Sequence, residues 1–206
     1  AAPAASPAPP GSSAPELGQA ASLGKTRTKE INAVCLALAC LAAGILLRYL
    51  YIFHWHPAYD YRYSDMQVFF ESAQRWLNPD YRQDICDTIN PPGMAYFLMP
   101  YCAVSTLTYY YWTQFLLSSL VPLLLASLAW DLAGRRAALL VLAMASLYFP
   151  FIDYAGYFLS EGPFLFAMTL SFWLLMRALR ALPRPAAPLY GGLAGVLLGL
   201  AASLKT

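Results

Sequence analysis

Long stretches of nearly unbroken hydrophobic residues alternate along this chain with short polar punctuations. A bilayer core of about 30 Å takes roughly 20 helical residues to cross, because each adds about 1.5 Å. Apolar runs assigned as spans occupy about Ile31 to Phe53, Tyr109 to Trp130, Ala137 to Asp153, Pro163 to Met176 and Leu189 to Leu204. They predict an all-α, polytopic transmembrane helical bundle. A further apolar segment, Gly93 to Ser105, falls short of that length and predicts a helix lying in the membrane interface.

The polar stretch between the first two runs carries a second helix signal. Ser64-Asp65-Met66-Gln67 has the capping-box pattern, in which Ser64 and Gln67 satisfy each other's backbone amides. The helix it opens, Asp65 to Leu77, carries Phe69, Ala73, Trp76 and Leu77 at helical spacing and stops at Asn78-Pro79. This stripe predicts an amphipathic helix lying on the membrane. Residues 1–24 are mostly Ala, Pro and Ser, too poor in large apolar groups to offset the entropy of ordering. They predict a disordered cytoplasmic tail reaching to about residue 30, before a module over 31–206 whose outer loop is 54–108.

Composition supports the membrane class: 59% of residues are hydrophobic and 12% charged. The net charge of +2 says little, whereas its distribution orients the chain. Short cytoplasmic loops concentrate Lys and Arg. Placing Lys25, Arg27 and Lys29, the pair Arg135 and Arg136, and the group Arg177, Arg180 and Arg184 on the cytoplasmic side puts the loop 54–108, the segment 153–162 and Lys205 outside. The first run is too long for a signal-peptide core, so a signal anchor is expected. These features predict a multi-pass protein of the cell membrane, of bacterial inner-membrane type. An apolar span ending at Lys205-Thr206 reads as the N-terminal part of something longer.

Charged residues at membrane depth are costly enough to mark candidate chemistry. Asp65 opens the first amphipathic helix, and Ser160-Glu161-Gly162-Pro163 repeats the arrangement at the outer end of the fourth span. Free amides at a helix start favour a carboxylate there, so each acid also reads as an ordinary cap. Asp153 competes with Glu161 for a functional role. Lys205 follows a span rich in small residues, GGLAGVLLGLAAS, which predicts close packing of that span on a neighbour. Its ammonium either snorkels to water or meets a phosphate on a lipid.

Other chemistries find little support. His54 and His56, with Asp84, Cys86 and Asp87, match no strong zinc spacing, and histidines beside Trp55 suit an aromatic belt. No metal or other cofactor is therefore expected. Cys35 and Cys40 fall in the first span, while Cys86 and Cys102 are available to pair in an oxidising compartment. There is no Gly-rich phosphate loop, no nucleophilic triad pattern and no nucleic-acid signature.

Taken in order, Ser64-Asp65, Asn90-Pro91-Pro92-Gly93, Glu161-Gly162-Pro163 and the small-residue span from Gly195 to Lys205 resemble the GT-C glycosyltransferases, specifically the protein O-mannosyltransferase and lipid A aminoarabinose transferase superfamily. The resemblance implies an inverting enzyme that takes a sugar from a polyprenyl-phosphate donor on the outer leaflet. The acceptor would be a glycolipid, a polysaccharide or a protein. It further implies that Asp65 is the catalytic acid of the first loop and Glu161 the second, with Lys205 beside the donor phosphate. Asp65 is followed by Met66 rather than a second acid, which departs from many protein O-mannosyltransferases. Ile89 stands where the aminoarabinose transferases carry a metal-site glutamate. Two other readings remain: a transporter or channel fragment with Asp153, Glu161 and Lys205 along a polar path, and a membrane assembly protein without chemistry.

Overall fold

The computed structural model describes residues 14–58, 60, 64–80, 92–104 and 107–205, with side chains from Glu30 onward. Every regular element among the described residues is helical. Asp84, Cys86, Asp87, Ile89, Asn90 and Pro91 lie outside them, and with Cys86 its pairing with Cys102. The chain divides into a unit of residues 1–36 and a larger one of residues 37–206, which holds the sites described below.

Helix α1, Ala14–Leu50, begins well before the Ile31 start expected for the first span. Of the tail expected to be disordered, the backbone from Ala14 onward is helical. The local sequence after Pro15 is rich in Ala, Leu, Gln and Glu, all good helix formers, and Pro15 itself sits in a first turn where no intrahelical donor is lost. The helix passes into one wide turn, Tyr51–Trp55, closed where His56 N–H donates to Tyr51 O at 2.8 Å.

Two short helices follow, α2 at Asp65–Trp76 and α3 at Pro92–Ala103. Met66, Phe69, Phe70 and Ala73 form one face of α2 at helical spacing, and all are buried. They share a core with Ala58, Met94, Leu98, Tyr110, Phe158 and Leu204. The stripe expected to face lipid therefore faces protein at Phe69 and Ala73, because α3 and the ends of the long helices supply apolar partners there. Leu77 remains exposed, while Trp76 packs on Tyr96 of α3 with ring centroids 4.7 Å apart.

Helix α4, Thr108–Leu147, is reversed on itself at Gly134, whose φ of 81° and ψ of −173° no helix contains. A Cβ at Gly134 would meet nothing within 4 Å, so the backbone conformation, not space, calls for glycine. The limbs 108–133 and 135–147 lie side by side: Ala126 and Trp130 face the same groove as Ala138 and Leu142. They correspond to the second and third spans expected from the sequence, with Arg135 and Arg136 at the bend. The short helix α5, Phe149–Asp153, and a tight turn at Tyr154–Gly156 lead into α6, Glu161–Arg180, and then α7, Ala187–Lys205.

Among the described residues, four helices are long and apolar enough to cross a membrane: 30–55, 108–147 with its bend, 161–180 and 187–205. Their outward surfaces carry large exposed apolar residues such as Leu132, Leu140, Met144, Leu189 and Val196, as a lipid-facing surface would. Helices α6 and α7 run antiparallel, tied where Ser171 Oγ donates to Ala194 O at 2.7 Å. The contact face of α7 is Ala187, Ala194, Ala201 and Leu204, not its glycines. A Cβ on Gly191, Gly192, Gly195 or Gly199 would meet nothing within 4 Å, so within that small-residue stretch Ala194 and Ala201 carry the packing.

Candidate functional site

The antiparallel pairing of α6 and α7 brings Lys205, at the C-terminal end of one, to Glu161, the first residue of the other. Lys205 Nζ lies 2.6 Å from Glu161 Oε1. Each charge also sits at the helix end whose dipole favours it, carboxylate at a start and ammonium at a finish. The side chains are 46% and 32% exposed respectively, so a pair of this kind adds only about 0 to 1 kcal/mol to stability. Glu161 Oε2 is buried and accepts no hydrogen bond within the chain.

The pair lines a cleft of about 420 Å³ whose other walls are largely apolar, including Val121, Phe151, Phe164 and Leu165. Ser118, Tyr148 and Tyr154 contribute the remaining polar groups. Behind this cleft, Gln114 is fully buried one turn from Ser118. Its Nε2 donates to the Tyr110 hydroxyl at 2.5 Å, and Tyr110 donates in turn to Tyr157 O at 2.7 Å. Gln114 Oε1 has no hydrogen-bond partner, and a Cβ added to Gly162 would come within 2.9 Å of it. Glycine at 162 thus lets the start of α6 close on Gln114. Pro163, buried in the first turn, costs α6 no hydrogen bond.

Asp65 stands apart from this pair. It is exposed at the start of α2, and Ser64 Oγ donates to its Oδ1 at 3.4 Å. The expected capping box is not formed. Ser64 has a φ of 49° and makes no side-chain cap, and its carbonyl accepts Gln67 N–H at 3.1 Å. Gln67 Nε2 donates instead to Glu71 Oε1 at 2.7 Å, one turn along the helix. Asp65 and Lys205 are linked only through their neighbours, since Met66 and Leu204 belong to the same buried core.

Asp153, the competing acid, is engaged elsewhere: its Oδ1 accepts the Tyr51 hydroxyl. His56 stacks on the same Tyr51 ring with centroids 5.4 Å apart and planes 4° from parallel. Among the described residues no three His, Cys, Asp or Glu side chains converge as a metal site would require.

Arg48 and Gln114 escaped the sequence reading although both left a signal, each a strongly polar residue within an apolar run. Arg48 is fully buried, with Nη1 donating to Gly44 O at 2.9 Å and Ser146 O at 2.8 Å, and Nη2 to Ala145 O at 3.4 Å. It therefore caps the carbonyl end of the second limb of α4, where a cation is favoured and the last carbonyls lack helical partners. Comparison with protein-family profiles, curated proteins and solved structures finds no match to this chain.

Proposed function

We propose that this chain forms part of a membrane glycosyltransferase that transfers a sugar from a polyprenyl-phosphate donor to an acceptor at the outer face, with inversion at the anomeric carbon. The observation that carries the reading is the Glu161 and Lys205 pair at a mainly apolar cleft. An ammonium with three donors can hold both a carboxylate and a phosphate oxygen, and apolar walls suit a prenyl chain. Both charges lie at helix ends rather than at mid-span, which favours chemistry at the membrane surface over a conduction path.

In this reading Asp65 takes the proton of the acceptor hydroxyl as its oxygen attacks the anomeric carbon. The bond from that carbon to the phosphate oxygen breaks on the opposite side, and the polyprenyl phosphate leaves with the electron pair. Lys205 stabilises the charge developing on that phosphate. Glu161 orients Lys205, and its second oxygen is available to a sugar or acceptor hydroxyl. No metal and no nucleotide enters these steps.

The test is to incubate membranes containing the full-length protein with labelled polyprenyl-phosphate sugars and follow the label. Covalent transfer to lipid, polysaccharide or protein is expected. Movement of the intact donor across the membrane without transfer would replace this reading with a transporter.

A further inference from the structure

A second charged cavity lies at the far end of α6. From Glu161 to Arg177 the helix climbs roughly 24 Å at about 1.5 Å per residue, so the two sites occupy opposite ends of the bundle. This groove, about 570 Å³ in volume, runs between the bend of α4 and the last turns of α6, lined by Ser127, Trp130, Asp131, Leu142, Arg177 and Arg180.

Its charges are unevenly matched. Asp131 is only 5% exposed, whereas Arg177 and Arg180 are 37% and 46% exposed. Arg180 is tied to Asp131 twice, through Oδ1 and through a donation of 2.8 Å to the backbone carbonyl. Arg177 leans over the Trp173 ring, 4.9 Å from its centroid, with Nη2 donating to Ser127 Oγ at 3.4 Å. Two guanidiniums against one carboxylate leave a net positive charge, and each guanidinium has five N–H donors, not all engaged. Asp131 Oδ2 is buried and accepts no hydrogen bond, and Arg177 Nη2 stands 3.9 Å from it.

We propose that this groove binds the headgroup of a phosphatidylethanolamine-type lipid, with the phosphodiester on Arg177 and Arg180 and the primary ammonium on Asp131 Oδ2. The phosphate answers the surplus positive charge, since guanidinium forks match phosphate oxygens. The ammonium supplies the N–H donor that the buried carboxylate oxygen lacks. A choline headgroup has no N–H to give, and a glycerol headgroup brings no cation. Leu142 and Ala138 continue the wall with apolar surface for an acyl chain.

The purified full chain in detergent is titrated with short-chain phosphatidylethanolamine, phosphatidylcholine and phosphatidylglycerol, and separately with free phosphoethanolamine. Bound lipid is read by native mass spectrometry. Phosphatidylethanolamine should be retained about tenfold over the other two, a difference well within one ion-paired hydrogen bond. Asp131→Asn should erase that preference, and Arg177→Gln, which leaves the Asp131 tie to Arg180 in place, should weaken all three lipids together. Equal binding of the three lipids to the unaltered chain, or undiminished binding to Arg177→Gln, would overturn the proposal. Free phosphoethanolamine binding as tightly as the lipid would overturn the lipid as its ligand.

Discussion

Lys205 Nζ and Glu161 Oε1 stand 2.6 Å apart across two antiparallel helices, joining the end of α7 to the start of α6. Because both side chains are partly exposed, their attraction is screened and contributes little to folding. A function in binding gives the pair a better reason to exist. On the proposed transfer reaction, Lys205→Ala in the full-length protein should raise the donor concentration needed for half-maximal rate more than that of the acceptor. Melting temperature should stay nearly unchanged. An unaltered donor response would remove the phosphate role from Lys205.

The packing of α1 on the second limb of α4 depends on Gly44. A Cβ there would fall 2.2 Å from Ser146 O, a backbone atom that cannot step aside. Gly44→Ala should therefore destabilise the bundle by about 1 to 3 kcal/mol, as overpacked sites do. It should also loosen the Arg48 cap, which donates to that same Ser146 carbonyl. Denaturant unfolding in mixed micelles checks this, and a stability equal to that of the original chain would contradict the contact.

Cys102 lies in α3, where burial pushes its thiol above the usual range. Burial disfavours the thiolate, the form that reacts, so alkylation should be slow near neutrality. Its rate should keep climbing with pH beyond about 8.5, the ordinary thiol value. A rate already at plateau there would show that the site is open to water.

The bend at Gly134 and the cleft at Lys205 belong at opposite membrane faces if the basic clusters are cytoplasmic. Cysteines engineered at Asp80 and Arg136 should then label from opposite sides of sealed vesicles with an impermeant reagent. Labelling from one side would overturn the orientation assumed for the transfer reaction.

Several of these features were legible in the sequence. Arg135-Arg136 marked the reversal of α4, because a pair of charges interrupts an otherwise apolar stretch. Ser64-Asp65 marked the start of α2, but not its cap, which depends on a Ser64 backbone angle that composition does not encode. Periodicity located the stripe of Phe69 and Ala73 but assigned it to lipid; the fold brings Leu204 and Phe158 alongside, and protein covers it instead. The small-residue run of α7 announced its close packing, which Ala194 and Ala201 of that run carry, while its glycines face outward. The Glu161 contact with Lys205 spans two helices, so the sequence could nominate each residue but not their meeting.

Asp65 provides the most direct test of the proposed transfer. Its side chain is exposed and accepts a long hydrogen bond from Ser64, so Asp65→Asn should change stability by no more than about 0.5 kcal/mol. With labelled polyprenyl-phosphate sugar and full-length protein, that variant should bind the donor normally and transfer no detectable sugar. Transfer at the original rate would contradict the role of Asp65 and the acid and base chemistry built on it.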